Sequence, residues 1–388
     1  RLHIPYPIVL VLGGLVLGFM PGLPVAAFDP HLLLLLVLPP VLYQAALFTS
    51  WRDFMQHIRA ISFLAVGLVL TTTLIVGAVS HYLLGLSWPV AFVLGAIVSP
   101  PDAVAATAVL SRLRMPRRLV VILEGESLVN DATGLVLYKL AVAAVMTGAF
   151  SFGEGVATFF LVGIGGVLIG LAFGSFFGFF HRWIGDPLIE ISLSLVLPFV
   201  TYFVAEAAGV SGVLAVVTAG LVRGWQVPEI FSARSRMQAY GVWEVVVFLV
   251  NSIVFILIGM QLEDVLDGLQ RYALADLMTN AAIVVMVAIL VRFVWVFAGA
   301  RLARRIPVIG VREPMPPWQH LTMLSWCGMR GIVSLAAALA IPYWTNTGET
   351  FPDRDLIIFL TFSVILVTLV VQGLSLGLVI RWLGVAPD

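Results

Sequence analysis

Apolar residues run along this chain in blocks of about twenty, separated by short clusters of arginine, acid, glycine and proline. A helix needs about 20 mostly apolar residues to cross a bilayer. Such runs predict twelve spans, at about 4–23, 31–50, 60–85, 88–111, 118–147, 153–181, 187–208, 211–224, 240–262, 277–300, 318–344 and 355–383. The eighth is the shortest. No low-complexity stretch or long linker intervenes, so residues 1–388 read as one domain.

Composition strengthens the pattern. The chain is 61% hydrophobic and 11% charged, with mean hydropathy +1.08, against about 45–50% and 25% in soluble domains. In water such a chain would expose large apolar patches, whereas lipid already solvates them. The fold class is therefore an all-α polytopic membrane protein. The single cysteine, Cys327, excludes an internal disulfide framework and a cysteine-based metal site. Nothing resembles a cleavable signal peptide. The chain starts at Arg1 rather than methionine, and one further N-terminal helix is expected before it.

Net charge is zero, but its distribution is informative. Sixteen of the 21 basic residues, including Arg52, Arg112, Arg182, Arg223, Arg304 and Arg381, fall on one side of the twelve-span arrangement. The opposite loops hold Arg271 and Arg354 among many acids, such as Glu263, Asp267 and Asp353. The positive-inside rule makes the first side cytoplasmic and puts both ends there. A miscounted span would invert this alternation, and it never inverts.

Ionisable residues within spans are costly unless paired or solvated. They are Asp102, Glu124, Glu126, Asp131, Lys139, Glu244, Arg292 and Arg330. Asp102, Glu126 and Asp131 lie in consecutive spans, and this concentration is the main functional signal.

The fourth span carries Pro100 and Pro101 near its middle. Each proline removes a backbone donor and obstructs the preceding turn. The freed polar groups are tolerated at bilayer depth only where they line a cavity or bind a substrate. Asp102 follows the break, placed to cap the second half-helix and still face the cavity. The alternative is a simple proline kink with Asp102 as its cap.

In the fifth span, GESLVND sets Ser127 and Asp131 one turn apart on one face, with Glu126 and Asn130 on the neighbouring one. A hydroxyl and a carboxylate are hard oxygen ligands, suited to a sodium-like cation. Cation and proton would then exclude one another at Asp131, which is the minimal chemistry of an exchanger. The alternative is a buried polar cluster that joins helices.

In the eleventh span Arg330 sits between Gly328 and Gly331, which permit close approach or unwinding. It needs an acid, and Glu126 is the expected partner in a structural pair; the competing role is in the ion path. If spans 3–5 and 10–12 form an inverted repeat, the irregular fourth and eleventh spans are equivalent and cross near the midplane. Gln44, after Pro39 and Pro40, is expected either to line the site or to bridge helices, with Pro101 also lining it. Glu244 and Asn251 read as interhelical structure, and Lys139 as snorkelling outward or pairing with an acid.

These motifs resemble the sodium/proton exchanger family, in its cation:proton antiporter-1 branch of prokaryotic type. LPPVLYQAAL, SPPDAVA, EGESLVND, VWEVVVFLVNSIVFILIGMQL and GMRGIVSLA occur in the family's order. The resemblance implies thirteen helices in a homodimer, crossed unwound helices and elevator-like alternating access. It implies a transport core at approximately 60–147 and 277–383, with dimerisation or scaffold helices among the remainder. Asp131 resembles the ion- and proton-binding aspartate, Asn130 its partner, Ser127 a cation ligand, and Asp102 the acid at the crossing. Glu126 and Arg330 resemble the buried pair. Asparagine at 130, where the electrogenic branch has a second aspartate, implies electroneutral exchange. The crossing reads Pro101-Asp102-Ala103, without the family's usual threonine, and Gln44 replaces an acid common in the family, so the cation's identity stays open.

The expected function is monovalent cation/proton antiport at the cell membrane, with sodium as the family default and no cofactor beyond the transported ions. No nucleic-acid partner is expected. A potassium/proton exchanger, a gated channel, and an intramembrane enzyme using Asp102 and Asp131 as paired acids are the rivals.

Overall fold

The computed structural model describes residues 6–20, 30–102, 116–148, 152–181, 183–184, 186–230, 233–260, 269, 272–302 and 316–385. In order these form α1 (Tyr6–Gly18), α2 (Pro30–Phe48), α3 (Trp51–Gln56), α4 (Ile58–Leu84), α5 (Trp88–Val98), α6 (Arg117–Thr147) and α7 (Phe152–His181). There follow α8 (Pro187–Ala207), α9 (Gly212–Ile230), α10 (Ala233–Met260), α11 (Leu274–Leu302), α12 (Trp318–Trp326), α13 (Ile332–Leu339) and α14 (Arg354–Leu383). Seven of these are long and apolar enough to cross a membrane unbroken, and further apolar helices are shorter. The protein is a multi-pass, all-helical membrane protein.

The irregular places follow local chemistry. Helix α5 stops at Val98, just before Ser99-Pro100-Pro101, where no backbone N–H exists to continue it. The remainder of the expected fourth span, and with it any cap that Asp102 gives its own second half-helix, lies outside the described residues. The eleventh span is two helices, α12 and α13, separated by Cys327–Gly331. The breaks meet: the Asp102 N–H donates to the Met329 carbonyl at 2.7 Å. Two long helices also carry single π-turns, Phe63–Leu68 in α4 and Thr368–Gln372 in α14.

The eighth span runs to Ile230 rather than ending near 224. Arg223 reads in sequence as a loop charge, yet it is 2% exposed within α9 and donates to Gln226 Oε1 at 3.0 Å. A partnered guanidinium does not end a helix.

Glycines set the closest contacts between helices. On α10, a Cβ at Gly259 would collide with the Val11 carbonyl of α1. Along α7, a Cβ at Gly166 would come 2.5 Å from the Ser211 carbonyl, and one at Gly170 would come 2.6 Å from Thr218 Cβ. Without a hydrophobic drive between helices in lipid, such van der Waals proximity is what holds them. Helix α6 packs against α4 and α5 on one side and meets α7, α9 and α2 on another, which places Asp131 among several bodies.

Candidate functional site

The site grows from two interrupted helices and one continuous helix. Glycine at 331 brings α13 up to Asp102, since a Cβ there would collide with the Asp102 carboxylate. Asp102 Oδ2 accepts from the Ile332 N–H at 3.2 Å, at the first residue of α13. The carboxylate thus lies at the positive end of the opposite interrupted helix. On α6, Asn130 Nδ2 donates to the Pro101 carbonyl at 2.8 Å, engaging a backbone oxygen at the break. One turn on, a Cβ at Gly134 would stand 2.9 Å from Pro100 Cγ, so α6 and the break are in direct contact.

The charge pairing differs from the sequence expectation. Glu126 pairs with Arg292 of α11, not with Arg330: Arg292 Nη1 and Nη2 donate to Glu126 Oε1 and Oε2 at 2.5 and 2.8 Å. This two-pronged geometry is what a planar guanidinium makes best with a carboxylate. Arg292 also donates to the Leu324 carbonyl through Nε at 3.1 Å and Nη2 at 3.0 Å, near the end of α12. Gly328 makes room for it, because a Cβ there would be 2.7 Å from Arg292 Nε.

Arg330 needs no carboxylate. Its Nε donates to the Val98 carbonyl at the end of α5 at 3.0 Å, its Nη1 donates to the Gly328 carbonyl just beyond α12, and its own N–H donates to Thr368 Oγ1 at 3.1 Å. One buried cation therefore faces the carbonyl ends of both interrupted helices, where partial negative charge collects. Arg292 counted among the intramembrane charges in the sequence, but nothing there assigned its partner. Thr368 was not singled out, although a hydroxyl in a long apolar run was its available signal.

Asp131 stands apart from this accounting. It is 5% exposed, and among the described residues no basic side chain pairs with it. Its neighbour Asn130 is hydrogen-bonded to Pro101, which precedes Asp102, so the two carboxylates belong to one region of the structure. Asn130 Oδ1 is buried without a hydrogen-bond donor among the described residues. Ser127 is half-buried one turn earlier, and Gln44 is half-buried on α2. Of the remaining candidates, Lys139 pairs with Glu206 of α8 at 2.7 Å. Asn251 is buried, whereas Glu244 is exposed, so these two do not share the interhelical role expected of them.

Comparison with known proteins shows the family and the fold. Residues 1–382 match the family described as sodium/hydrogen exchanger, transmembrane. A Na+/H+ exchanger of Mycobacterium tuberculosis (strain H37Rv) is 38% identical over all of this chain and 72% of its own length. A sodium, potassium, lithium and rubidium/H+ antiporter of Bacillus pumilus is 36% identical over 97% of this chain and 57% of its own length. The solved sodium proton antiporter MjNhaP1 of Methanocaldococcus jannaschii shares the fold, with a TM-score of 0.75, 22% identity, and coverage of 97% of this chain and 92% of that one. This chain belongs to the transmembrane sodium/hydrogen exchangers, which are cation/proton transporters and not enzymes.

Proposed function

We propose that this protein exchanges one monovalent cation for one proton by alternating access, with both competing for Asp131. One observation carries the reading. Among the described residues, every other charge at the crossing has a compensating partner, and Asp131 has none. Glu126 has Arg292, Arg330 has two helix-end carbonyls, and Asp102 has the N-terminus of α13. A buried carboxylate without a counter-charge is costly as an anion. It is relieved by a proton or by a cation, and not by both at once.

Asn130 is neutral and holds the break in place through Pro101, so a full cycle moves one positive charge each way. Its unpartnered Oδ1, with Ser127 and Asp131, supplies oxygen ligands for a dehydrated alkali cation. Asp102 tunes the site by its charge while it anchors α13. The transport core comprises approximately 60–147 and 277–383, moving against the other helices of a homodimer in the cell membrane, with the C-terminal end cytoplasmic.

The name of the Bacillus relative includes potassium, lithium and rubidium beside sodium. It favours testing a broad cation range here. Proteoliposomes loaded with a pH-sensitive dye, challenged with each chloride salt at several pH values, test the reading directly. Competition predicts that apparent KM rises as pH falls, by about tenfold per unit once Asp131 is mainly protonated. Cation-driven proton movement whose KM does not change with pH would sink the shared-site mechanism, and a large single-channel current would replace the exchanger with a channel.

A further inference from the structure

An apolar cavity of about 280 Å³ lies behind Asp131, between α6, α7, α9 and the π-turn of α4. Val129, Thr133 and Val136 form its inner wall on α6, and Phe160 and Gly163 its α7 wall, with Leu214 of α9 beside them. The Thr133 hydroxyl is engaged within its own helix, donating to the Val129 carbonyl at 3.1 Å. The cavity therefore offers a ligand apolar contact alone.

Two observations say what enters. The first is the glycine at its mouth. Neighbouring glycines on α7 are closely covered by the turn that leads into α9, with a Cβ at Gly165 reaching 2.5 Å from Val210 Cγ1 and one at Gly166 reaching 2.5 Å from the Ser211 carbonyl. A Cβ at Gly163 would meet only Leu214 Cδ1, at 3.7 Å. The seam is closed by protein from Gly165 onward along α7 and open at Gly163. The second is depth. The inner wall flanks Asp131 near the middle of α6, a helix of 31 residues, and the mouth is edged by Phe160, Ile164 and Leu168, each 58–60% exposed. At that depth the surrounding medium is hydrocarbon. An apolar cavity excludes water and accepts apolar guests.

We propose that this seam is a binding site for one phospholipid acyl chain, which lies between the helix bearing Asp131 and the α7–α9 pair. The chain replaces the packing that Gly163 withholds, and it leaves α6 in contact with a fluid surface there instead of with a side chain. The site does not depend on which cation is exchanged.

The test uses the whole protein in vesicles of phosphatidylethanolamine and phosphatidylglycerol doped with a phosphatidylcholine that carries a mid-chain diazirine. After illumination, mass spectrometry locates the label. Expected is labelling of the inner wall, at Val129, Thr133 or Val136, together with the outer face of α7 at Leu161. Gly163→Phe fills the mouth and should abolish inner-wall labelling while leaving Leu161 labelled. Labelling confined to Leu161 in the unaltered protein would overturn the proposal, whatever the variant does. Inner-wall labelling that persists in a folded Gly163→Phe would overturn it too. So would the absence of label from both faces with copies cross-linked through Phe160, which would make a second chain the occupant.

Discussion

The crossing of the interrupted helices and the α7–α9 seam both hold helices together in a medium as apolar as their side chains, and they do so by opposite means. At the crossing, buried ions and free backbone groups are matched one against another: Arg292 with Glu126, Arg330 with two carbonyl ends, Asp102 with an N–H. Along the seam a row of glycines lets backbones touch, as at Gly166 against Ser211 and Gly170 against Ala215 and Thr218. The first arrangement is strongly conditional on each partner, because removal of one strands a charge. The second distributes its stability over many weak contacts. Only the first leaves a carboxylate over, and an exchanger needs one group whose charge the protein itself does not neutralise.

The largest effect separates chemistry from packing. Asp131→Asn should abolish cation-dependent proton movement in proteoliposomes while the yield of folded protein stays normal, since no charged partner among the described residues is stranded. Retained exchange would remove the distinction drawn here between Asp131 and its neighbours. Next, Arg292→Ala should destabilise by about 3–5 kcal/mol, because Glu126 is left as an uncompensated buried charge. Arg330→Ala leaves carbonyl dipoles rather than a carboxylate unpaired and should cost less, about 1–3 kcal/mol. Thermal melting in detergent ranks the two, and the reverse order would restore Arg330 as the partner of Glu126.

On the other side of the comparison, Gly170→Val should cost about 1–3 kcal/mol by forcing α7 away from α9. Its cation KM in the dye assay should match the unaltered protein, and a changed KM would mean that the seam reports to the site. The smallest effect belongs to Lys139→Gln. Its pair with Glu206 is half-exposed, with the two side chains 53% and 33% accessible, and such pairs contribute no more than about 1 kcal/mol. A melting shift as large as that of Arg292→Ala would place Lys139 with the buried network.

Much of the fold was legible because lipid restricts a chain so severely. Each crossing needs a run of fixed length, and the runs in the sequence correspond to helices such as α6 and α11 within a few residues. The breaks were legible for a related reason: Pro100-Pro101 and the pair Gly328 and Gly331 announce backbone that cannot be, or need not be, helical. Arg223 misled because a charge near the end of an apolar run looks like a loop until its buried partner is visible. Asp102 was placed on the correct break, but its cap of α13 joins residues 230 positions apart, and no periodicity speaks of that. Glu126 shows the same limit. The sequence pointed to Arg330, and nothing local marks Arg292, in the neighbouring span, as the arginine that reaches it.

By itself, then, the sequence determined that this is a many-span membrane protein with a carboxylate beside an asparagine in one span and breaks in two others, since run length, charge and proline chemistry act locally. Tertiary structure alone decided which partner each buried charge takes, and so which one is left without. That choice depends on distances between helices, and in lipid those are set by where glycines let backbones approach.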